Sequence, residues 1–94
     1  MEFEWSEEKN RNNKNKHGLT FQEATNIFDS IRFTAEDTRK DYGKKRFITI
    51  GAIDNIVCIV VYTIRSHHIR IISARKANSR ERRKYDEQVQ RSTK

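Results

Sequence analysis

The segment HIRIISARK, at residues 68–76, carries arginines inside a stretch whose isoleucines predict a β-strand. Period-two alternation along that strand predicts that Arg70 and Arg75 lie on opposite faces of the sheet. An unpaired charge within a strand is costly, so Arg70 must lie on a solvent-open face or pair with an acidic residue. An open basic face would hold a polyanion. The alternative is a charged edge strand whose arginines prevent aggregation.

More basic residues fall at the ends of the predicted strands. Arg46 and Arg65 each lie at a strand end, where they would extend an exposed basic sheet face. Arg75 and Lys76 stand where the last strand ends and the chain turns toward a helix, and we expect their charges to be unpaired. The free N–H groups at a helix start also favour anions. The pattern therefore predicts a surface that binds phosphate groups.

Lys16 and His17 end a polar segment, SEEKNRNNKNKHG, near the N-terminus. A histidine beside a lysine can act as a general acid or base near neutral pH. The alternative is that His17 only helps to end a helix. The sequence has no spaced set of His, Cys, Asp and Glu typical of a metal site, and no glycine-rich phosphate loop. We expect neither a metal nor another cofactor.

Arginines, a lysine and a histidine in these positions suit metal-independent cleavage of RNA. In that reaction the 2′-hydroxyl attacks the adjacent phosphate, so the protein must move two protons and stabilise negative charge on the phosphoryl oxygens. Arginines can stabilise the charge, and a lysine, histidine or tyrosine can move the protons. This chemistry requires no unique sequence motif.

The chain has 94 residues and a formal net charge of +7, which is unevenly distributed. Residues 1–43 hold seven Lys and Arg against nine Asp and Glu, a balance of −2, and residues 44–94 hold thirteen against four, a balance of +9. The length predicts a single domain, 1–94. There is no apolar run long enough to cross a bilayer, no signal-peptide pattern, and one cysteine, Cys58, which we expect to be a buried thiol. We expect a cytoplasmic protein without membrane contact, whose basic half has an anionic partner.

The N-terminal half predicts a strand and two helices. Alternating aromatic and acidic residues in MEFEW indicate a short strand, and the polar segment indicates a helix from about residue 7 to residue 16. That helix has no apolar residue, which suggests that packing does not select its composition. Thr20 and Glu23 form a capping-box pattern that begins a second, amphipathic helix.

The C-terminal half predicts a small antiparallel sheet and a last helix. A weak strand candidate at residues 31–36 precedes strands at 46–53, 56–65 and 68–74, which two-residue hairpins join into a meander. Asn78 and Glu81 form a second capping-box pattern, which begins a helix that ends near residue 90. The order of elements predicts an α+β domain with its helices packed on one face of the sheet.

Short motifs in a fixed order resemble BrnT-type toxins of bacterial type II toxin–antitoxin systems. They are FEW, KHG, FQEA with FD, DYG, RFITIG, VVYT and RIISARKA, and they cover the chain from residue 3 to about residue 85. The resemblance implies a RelE-like ribonuclease fold, with two N-terminal helices on a small antiparallel sheet and a C-terminal helix. It implies a metal-independent endoribonuclease that inhibits translation. It also implies a BrnA-type antitoxin with a ribbon-helix-helix DNA-binding region, through which alone the complex binds operator DNA.

The same resemblance, together with the strand-end charges, gives the expected site. The expected catalytic residues are Lys16, His17, Arg70 and Arg75, and the expected RNA-binding residues are Arg46, Arg65 and Lys76. His17 or Lys16 would transfer protons, and the arginines would bind the phosphate. We expect a monomeric toxin that assembles through its antitoxin, which would be acidic where it covers the basic half. The alternative function is a module that binds nucleic acid or the antitoxin without turnover.

Overall fold

The computed structural model describes residues 2–92, which form five strands, three α-helices and one 3₁₀ helix. In chain order the elements are β1 (Glu2–Glu4), α1 (Glu7–His17), α2 (Phe21–Ala24) continued by the 3₁₀ helix (Thr25–Asp29), β2 (Arg32–Glu36), β3 (Phe47–Ile53), β4 (Ile56–Arg65), β5 (His68–Lys76) and α3 (Ser79–Ser92). The α+β class and the C-terminal helix are confirmed. Met1, Thr93 and Lys94, which the predicted domain 1–94 includes, lie outside the described residues. Among residues 2–92, no helix is long and apolar enough to span a membrane.

All five strands belong to one mixed sheet with the order β1-β5-β4-β3-β2. Strands β2 to β5 form the predicted antiparallel meander, but β1 pairs with β5 in parallel. The prediction of a wholly antiparallel sheet is therefore wrong at this edge. β1 lies there because Phe3 packs on the apolar core, with its ring centroid 5.4 Å from that of Phe28.

The two hairpins of the meander have two-residue loops, as predicted. Their four loop residues, Asp54, Asn55, Ser66 and His67, all have positive φ angles, of 49°, 67°, 48° and 68°. Two consecutive residues with positive φ give a loop whose twist matches that of the paired strands. These turns therefore fix the registers of β3 on β4 and of β4 on β5.

One face of the sheet, which we call the core face, packs against α1, α2 and the 3₁₀ helix. The residues of this core are Leu19, Phe21, Ala24, Ile27, Ile53, Cys58, Val60, Tyr62, Ile69, Ile71 and Ala74. The thiol of Cys58 is buried, as predicted, and burial raises its pKa. This core fixes the sheet on which the charged residues are arranged.

The opposite face, which we call the open face, is only partly covered, and α3 is the element that covers it. The Tyr85 ring lies edge-on to Phe33 with 5.8 Å between centroids, and its hydroxyl donates to the Ile31 carbonyl at 2.6 Å. Phe33 pairs with Ile50, so both side chains lie on this face. The prediction that all helices share one face is therefore wrong, because β2 and β3 present apolar surface on both faces.

Helix α1 packs on the sheet through asparagines rather than through apolar residues. Asn13 is 7% exposed, and its amide donates to the carbonyls of Leu19 at 2.9 Å and Ala74 at 2.8 Å. Its carbonyl accepts from the Ala74 N–H at 3.2 Å. Asn10, also 7% exposed, accepts from the Phe21 N–H at 2.8 Å. Packing therefore does select the composition of this helix, contrary to the prediction, because buried amides satisfy buried backbone groups.

The Asn13→Ala variant should be less stable than the wild type by about 3 kcal/mol, since it removes three hydrogen bonds and leaves buried backbone groups without partners. Urea denaturation followed by circular dichroism measures this difference. The control is Asn15→Ala, in which an exposed asparagine of the same helix is replaced. Its stability should match that of the wild type within about 0.5 kcal/mol. Equal losses in the two variants would contradict the proposed role of the buried amide.

Candidate phosphate-binding cleft on the open sheet face

A β-bulge in β5 decides which side chains reach the open face. Ile71 and Ser73 pair with consecutive residues of β4, so Ile72 is an extra residue between them. An extra residue reverses the alternation of the side chains that follow it. Arg70 and Arg75 consequently lie on the same face, and the prediction that they lie on opposite faces is wrong.

Beyond the bulge, a cleft of about 300 Å³ opens on this face. Its floor consists of Ile48, Ile59 and Val61, and its rim consists of Arg39, Ser73, Arg75 and Glu81. An aliphatic floor keeps water from one side of a bound group, which strengthens the electrostatic contacts of that group with the rim. The cleft therefore suits a phosphate ester with an apolar or planar substituent.

Arg75 is held at the rim by Glu81, from the first turn of α3. Nη1 donates to one carboxylate oxygen and Nη2 to the other, both at 2.9 Å. Glu81 also accepts from the N–H of Asn78, and Asn78 caps the N–H of Glu81 in return, which confirms the predicted capping box. The expectation that Arg75 is unpaired is therefore wrong. Its side chain nevertheless stays 42% exposed, so donors remain for a ligand.

Glu81 lies beside the cleft but is a poor candidate for a general base. The hydrogen bonds from Arg75, and then the N–H of Asn78, lower the pKa of Glu81 to about 2. A carboxylate with so low a pKa has little tendency to take a proton at neutral pH. Its evident role is to orient the guanidinium of Arg75.

A second arginine, Arg39 in the loop between β2 and β3, lines the cleft together with Arg75. Its Nε and Nη2 donate to the two oxygens of Asp37, each at 2.8 Å. The Asp37 side chain is fully buried and also accepts from the Tyr42 hydroxyl at 3.1 Å, whereas the Arg39 side chain is 73% exposed. The contacts with Arg39 hold the pKa of Asp37 far below its usual range. Asp37 is therefore a permanent anion that fixes Arg39 at the surface.

Arg46 stabilises the same loop. Its guanidinium lies 3.9 Å from the centroid of the Tyr42 ring, and its carbonyl accepts from the Asp37 N–H at 2.7 Å. In register Arg46 stands beside Thr63, one step beyond the last β3–β4 pair. The Nε of Arg46 and the hydroxyl of Thr63 are both buried and have no hydrogen-bond partner among the described residues. Arg46 is thus on the open face, half-buried and stacked.

Arg65 and Arg70 lie at the β1 end of the open face and share one carboxylate. Glu4 is 3.7 Å from Arg65 and 3.8 Å from Arg70. Arg70 combines the two arrangements that the sequence allows, because it lies on the open face and also contacts an acidic residue. The side chains of Arg65 and Arg70 are 54% and 31% exposed, so both remain accessible to a ligand.

Lys76 is separated from the arginines. It pairs with Cys58 in the register of β4 and β5, and it lines a small pocket with Leu19, Glu23 and Ile53 on the core side of the sheet. Alternation from Arg75 accounts for this position, because adjacent residues of a strand point to opposite faces. Lys76 is therefore not part of the cleft.

Lys16 and His17 lie at the end of α1, beside the bulge. They line a shallow pocket together with Lys9, Ile72 and Ser73. Ser73 also lines the cleft with Arg75, so both depressions share this residue. Among the described residues, the side chains of Lys16 and His17 have no hydrogen bond or ion pair. They are free to contact a ligand that reaches across the edge of β5.

The structure thus brings together most, but not all, of the predicted site. The open face carries Arg46, Arg65, Arg70 and Arg75; Lys16 and His17 border it, and Lys76 does not. Arg39 is not among the predicted site residues, although the DYG motif lies in the same loop. The available signal was the Asp37-x-Arg39 spacing, which permits a local ion pair but does not show that it faces the cleft. Within residues 2–92, no three side chains among His, Cys, Asp and Glu form a group that could hold a metal ion.

Arginines around a cleft on an open sheet face form a surface that suits phosphate esters. A comparison with protein-family models gives a more specific assignment than the site alone. The model of the BrnT family, described as the ribonuclease toxin of a type II toxin–antitoxin system, matches residues 5–81 of the 94. The chain therefore belongs to the BrnT family of ribonuclease toxins. No curated protein matches the chain.

Membership of this family confirms the resemblance stated from the sequence motifs. It identifies the chain as a ribonuclease toxin of a type II toxin–antitoxin system, with RNA as the substrate and an antitoxin as the partner. The roles assigned to individual residues stay predictions. The geometry adds to them an arginine pair, Arg39 and Arg75, around one cleft.

The Glu81→Gln variant should be less stable than the wild type by about 1 kcal/mol at pH 7, the usual size for a partly exposed ion pair. The pKa of Glu81 falls from its ordinary 4.5 to about 2 on folding, so its contribution is present above pH 4.5 and is lost as the pH falls toward 2. Urea denaturation at pH 7 and at pH 2.5 should therefore show a difference that narrows at the lower pH.

The matched control for this experiment is Glu87→Gln. Glu87 pairs with Arg91 on the outer side of α3 at 3.8 Å, where both side chains are more than half exposed. Its stability should stay close to that of the wild type at both pH values. A Glu81→Gln difference that is the same at both pH values would contradict the assignment of the charged pair.

Proposed function

We propose that the protein is a metal-independent endoribonuclease that cuts single-stranded RNA on the open sheet face and thereby inhibits translation. The observation that carries the proposal is the cleft rimmed by Arg39 and Arg75 in a chain of the BrnT ribonuclease-toxin family. The fold is proposed to be RelE-like, with α1 and α2 on the core face. RNA and ribosomes share the cytoplasm, which is the proposed location of the toxin.

In the proposed reaction the 2′-hydroxyl of one nucleotide attacks its own 3′-phosphate, and the bond to the next 5′-oxygen breaks. Negative charge builds up on the phosphoryl oxygens as the attack proceeds. Arg75 donates to these oxygens from its exposed edge, while Glu81 keeps the guanidinium in place. Fixed donors of this kind act mainly on the transition state, because they need not reorient during the reaction.

Proton transfer is assigned to His17 or Lys16. Neither side chain has a hydrogen bond or ion pair within residues 2–92, and both line the pocket that shares Ser73 with the cleft. One of them takes the proton of the 2′-hydroxyl, and an acid returns a proton to the leaving 5′-oxygen. RNA that contacts both Arg75 and the proton-transfer residue crosses the edge of β5 at the bulge.

RNA on either side of the scissile phosphate is proposed to contact Arg65, Arg70 and Arg46. Arg65 and Arg70 lie at the β1 end of the open face, along β5 from the cleft. Arg46 contributes its charge from a half-buried, stacked position. Lys76 keeps only the role of a contact outside the cleft, because it lies on the other side of the sheet.

The partner is proposed to be a BrnA-type antitoxin with a ribbon-helix-helix region. An acidic segment of this antitoxin would cover the arginines of the open face and so exclude RNA. Operator DNA is bound only through the antitoxin, and the toxin is a monomer until the antitoxin assembles it. The excess of basic residues in the C-terminal half, thirteen against four, supports this electrostatic match.

One observation favours a second function, a binding module without turnover. Arg39, Arg70 and Arg75 are each paired with a carboxylate, and the carboxylate at the cleft, Glu81, is a weak base. The groups that could move protons therefore lie in the adjoining pocket and not in the cleft itself. Such a module would bind RNA or antitoxin with the same arginines.

Cleavage of a short single-stranded RNA in the presence of EDTA tests the proposal. The wild type should cut the RNA, whereas Arg75→Ala should lower the rate about 100-fold or more, since it removes a charged donor. His17→Ala should lower the rate by a similar factor if it transfers a proton. Arg91→Ala, which removes an arginine from the far end of α3, is the matched control and should cut like the wild type.

Circular dichroism of each variant establishes that the fold is retained. If the wild type leaves the RNA intact, the assay is repeated with translating ribosomes, where cut message supports the proposal. Intact message in both assays would assign the protein to the binding-module alternative. Full activity of Arg75→Ala would exclude the cleft as the active site.

A further inference from the structure

We propose that Arg39 is a second residue that binds an RNA phosphate, from the rim of the cleft that it shares with Arg75. The inference rests on the proposed function, because it takes RNA as the ligand of this cleft. It adds a residue of the loop between β2 and β3 to a site otherwise built from β5, α3 and α1. Its support comes from the exposure, the hydrogen bonds and the location of Arg39.

The exposure of Arg39 differs from that of its own partner. The Asp37 side chain has no exposed surface, whereas the Arg39 side chain is 73% exposed. A guanidinium buried together with its carboxylate would leave no edge for a ligand. Arg39 instead keeps its guanidinium at the surface, beside the floor residues Ile48, Ile59 and Val61.

The hydrogen bonds of Arg39 leave part of its guanidinium available. Nε and one N–H of Nη2 point to Asp37, both at 2.8 Å. A guanidinium has five N–H groups, so three remain after a two-point contact. Phosphate oxygens are the ligands that such a planar set of donors binds best. The remaining edge can therefore donate to a phosphate without breaking the ion pair.

Arg39 and Arg75 can meet the same ligand because they line one cleft. Both line the same cleft, and the positive charge of Arg39 acts on Arg75. The pKa of Arg75 is raised overall, first by its hydrogen bonds to Glu81, while burial and the charge of Arg39 act in the opposite direction. Two cations that repel each other across a cleft are stabilised by an anion between them. A phosphate in the cleft supplies that anion.

Hydrogen bonds and a cation–π contact hold the loop that carries Arg39. Asp37 accepts from the N–H of Arg39 at 3.2 Å and from the Tyr42 hydroxyl at 3.1 Å. The ring of Tyr42 packs under the guanidinium of Arg46 at 3.9 Å. These contacts fix the direction of the Arg39 side chain before any ligand arrives, which is the condition for a donor to favour the transition state.

The test compares three variants of the full chain in RNA cleavage and RNA binding. Arg39→Ala removes the donor, and Arg39→Lys keeps the charge but loses the planar fork. Lys44→Ala is the matched control, because it removes one positive charge from the same loop, while Lys44 does not line the cleft. We expect kcat/KM to fall about 100-fold in Arg39→Ala and about 10-fold in Arg39→Lys, and by less than about twofold in Lys44→Ala.

Binding is measured with a non-cleavable RNA that carries a 2′-deoxy nucleotide at the cut site. The slope of log affinity against log salt should become less steep by about 0.7 in Arg39→Ala, which is the loss of one phosphate contact on a single strand. It should stay unchanged in Lys44→Ala. This measurement tests Arg39 even if the wild type binds RNA without cutting it, so failure of the inference and failure of the proposed activity are distinguishable.

Three results would overturn the inference. One is an Arg39→Ala variant that binds RNA with wild-type affinity and wild-type salt slope. Another is an equal loss in Arg39→Ala and Lys44→Ala, which would assign the effect to general charge. The third is a wild-type protein that does not bind RNA at all. If Arg39→Ala does not fold, Arg39→Lys decides the question, and wild-type affinity, slope and kcat/KM in that variant would count against the phosphate contact.

Discussion

The backbone N–H and C=O groups along the outer edge of β5 need hydrogen-bond partners. Much of the structure depends on which groups supply these hydrogen bonds. Within residues 2–92, β1 pairs with residues 68–70, and the edge of β5 beyond Arg70 has no neighbouring strand there. The side chain of Asn13 takes the place of a strand there, since it both donates to the carbonyl of Ala74 and accepts from its N–H. Because this contact fixes α1 on the edge of β5, it also fixes His17 beside Ser73.

Sequence patterns predicted the elements well but not the contacts between them. Strand alternation, two capping boxes and two short hairpins each have a local cause, and each was found. The bulge at Ile72 has no local signature, since RIISAR reads as an ordinary alternating strand. The role of Asn13 was hidden for a related reason. A buried asparagine is identical in sequence to an exposed one, and only the position of Ala74 in space distinguishes them.

For the candidate site, too, the sequence indicated the residue types but not their contacts in space. The residue types of Arg70 and Arg75 indicated phosphate binding, but their partners, Glu4 and Glu81, came from different parts of the chain. Glu4 lies in the first strand, and its approach to Arg70 depends on the parallel pairing of β1, which the meander pattern does not suggest. Arg39 was missed because its two-point contact with Asp37 and its position at the cleft set it apart from the other basic residues of its loop, and these are contacts in space.

At the cleft, the pairing of Arg39 with Asp37 and of Arg75 with Glu81 has a physical consequence for the ligand. The net charge of each pair is near zero, so attraction at long range is weak and comes from the unpaired cations around the cleft. At short range the fixed guanidinium edges act as directional donors, which distinguish a phosphate from a diffuse anion. The bulge at Ile72 determines the positions of both parts of the candidate site. It directs Arg75 to the open face, and it places Ile72 in the pocket of Lys16 and His17. A strand without the extra residue would direct Arg75 to the core face, away from Arg39 and Arg70. The geometry of the whole candidate site therefore depends on one unpaired residue in β5.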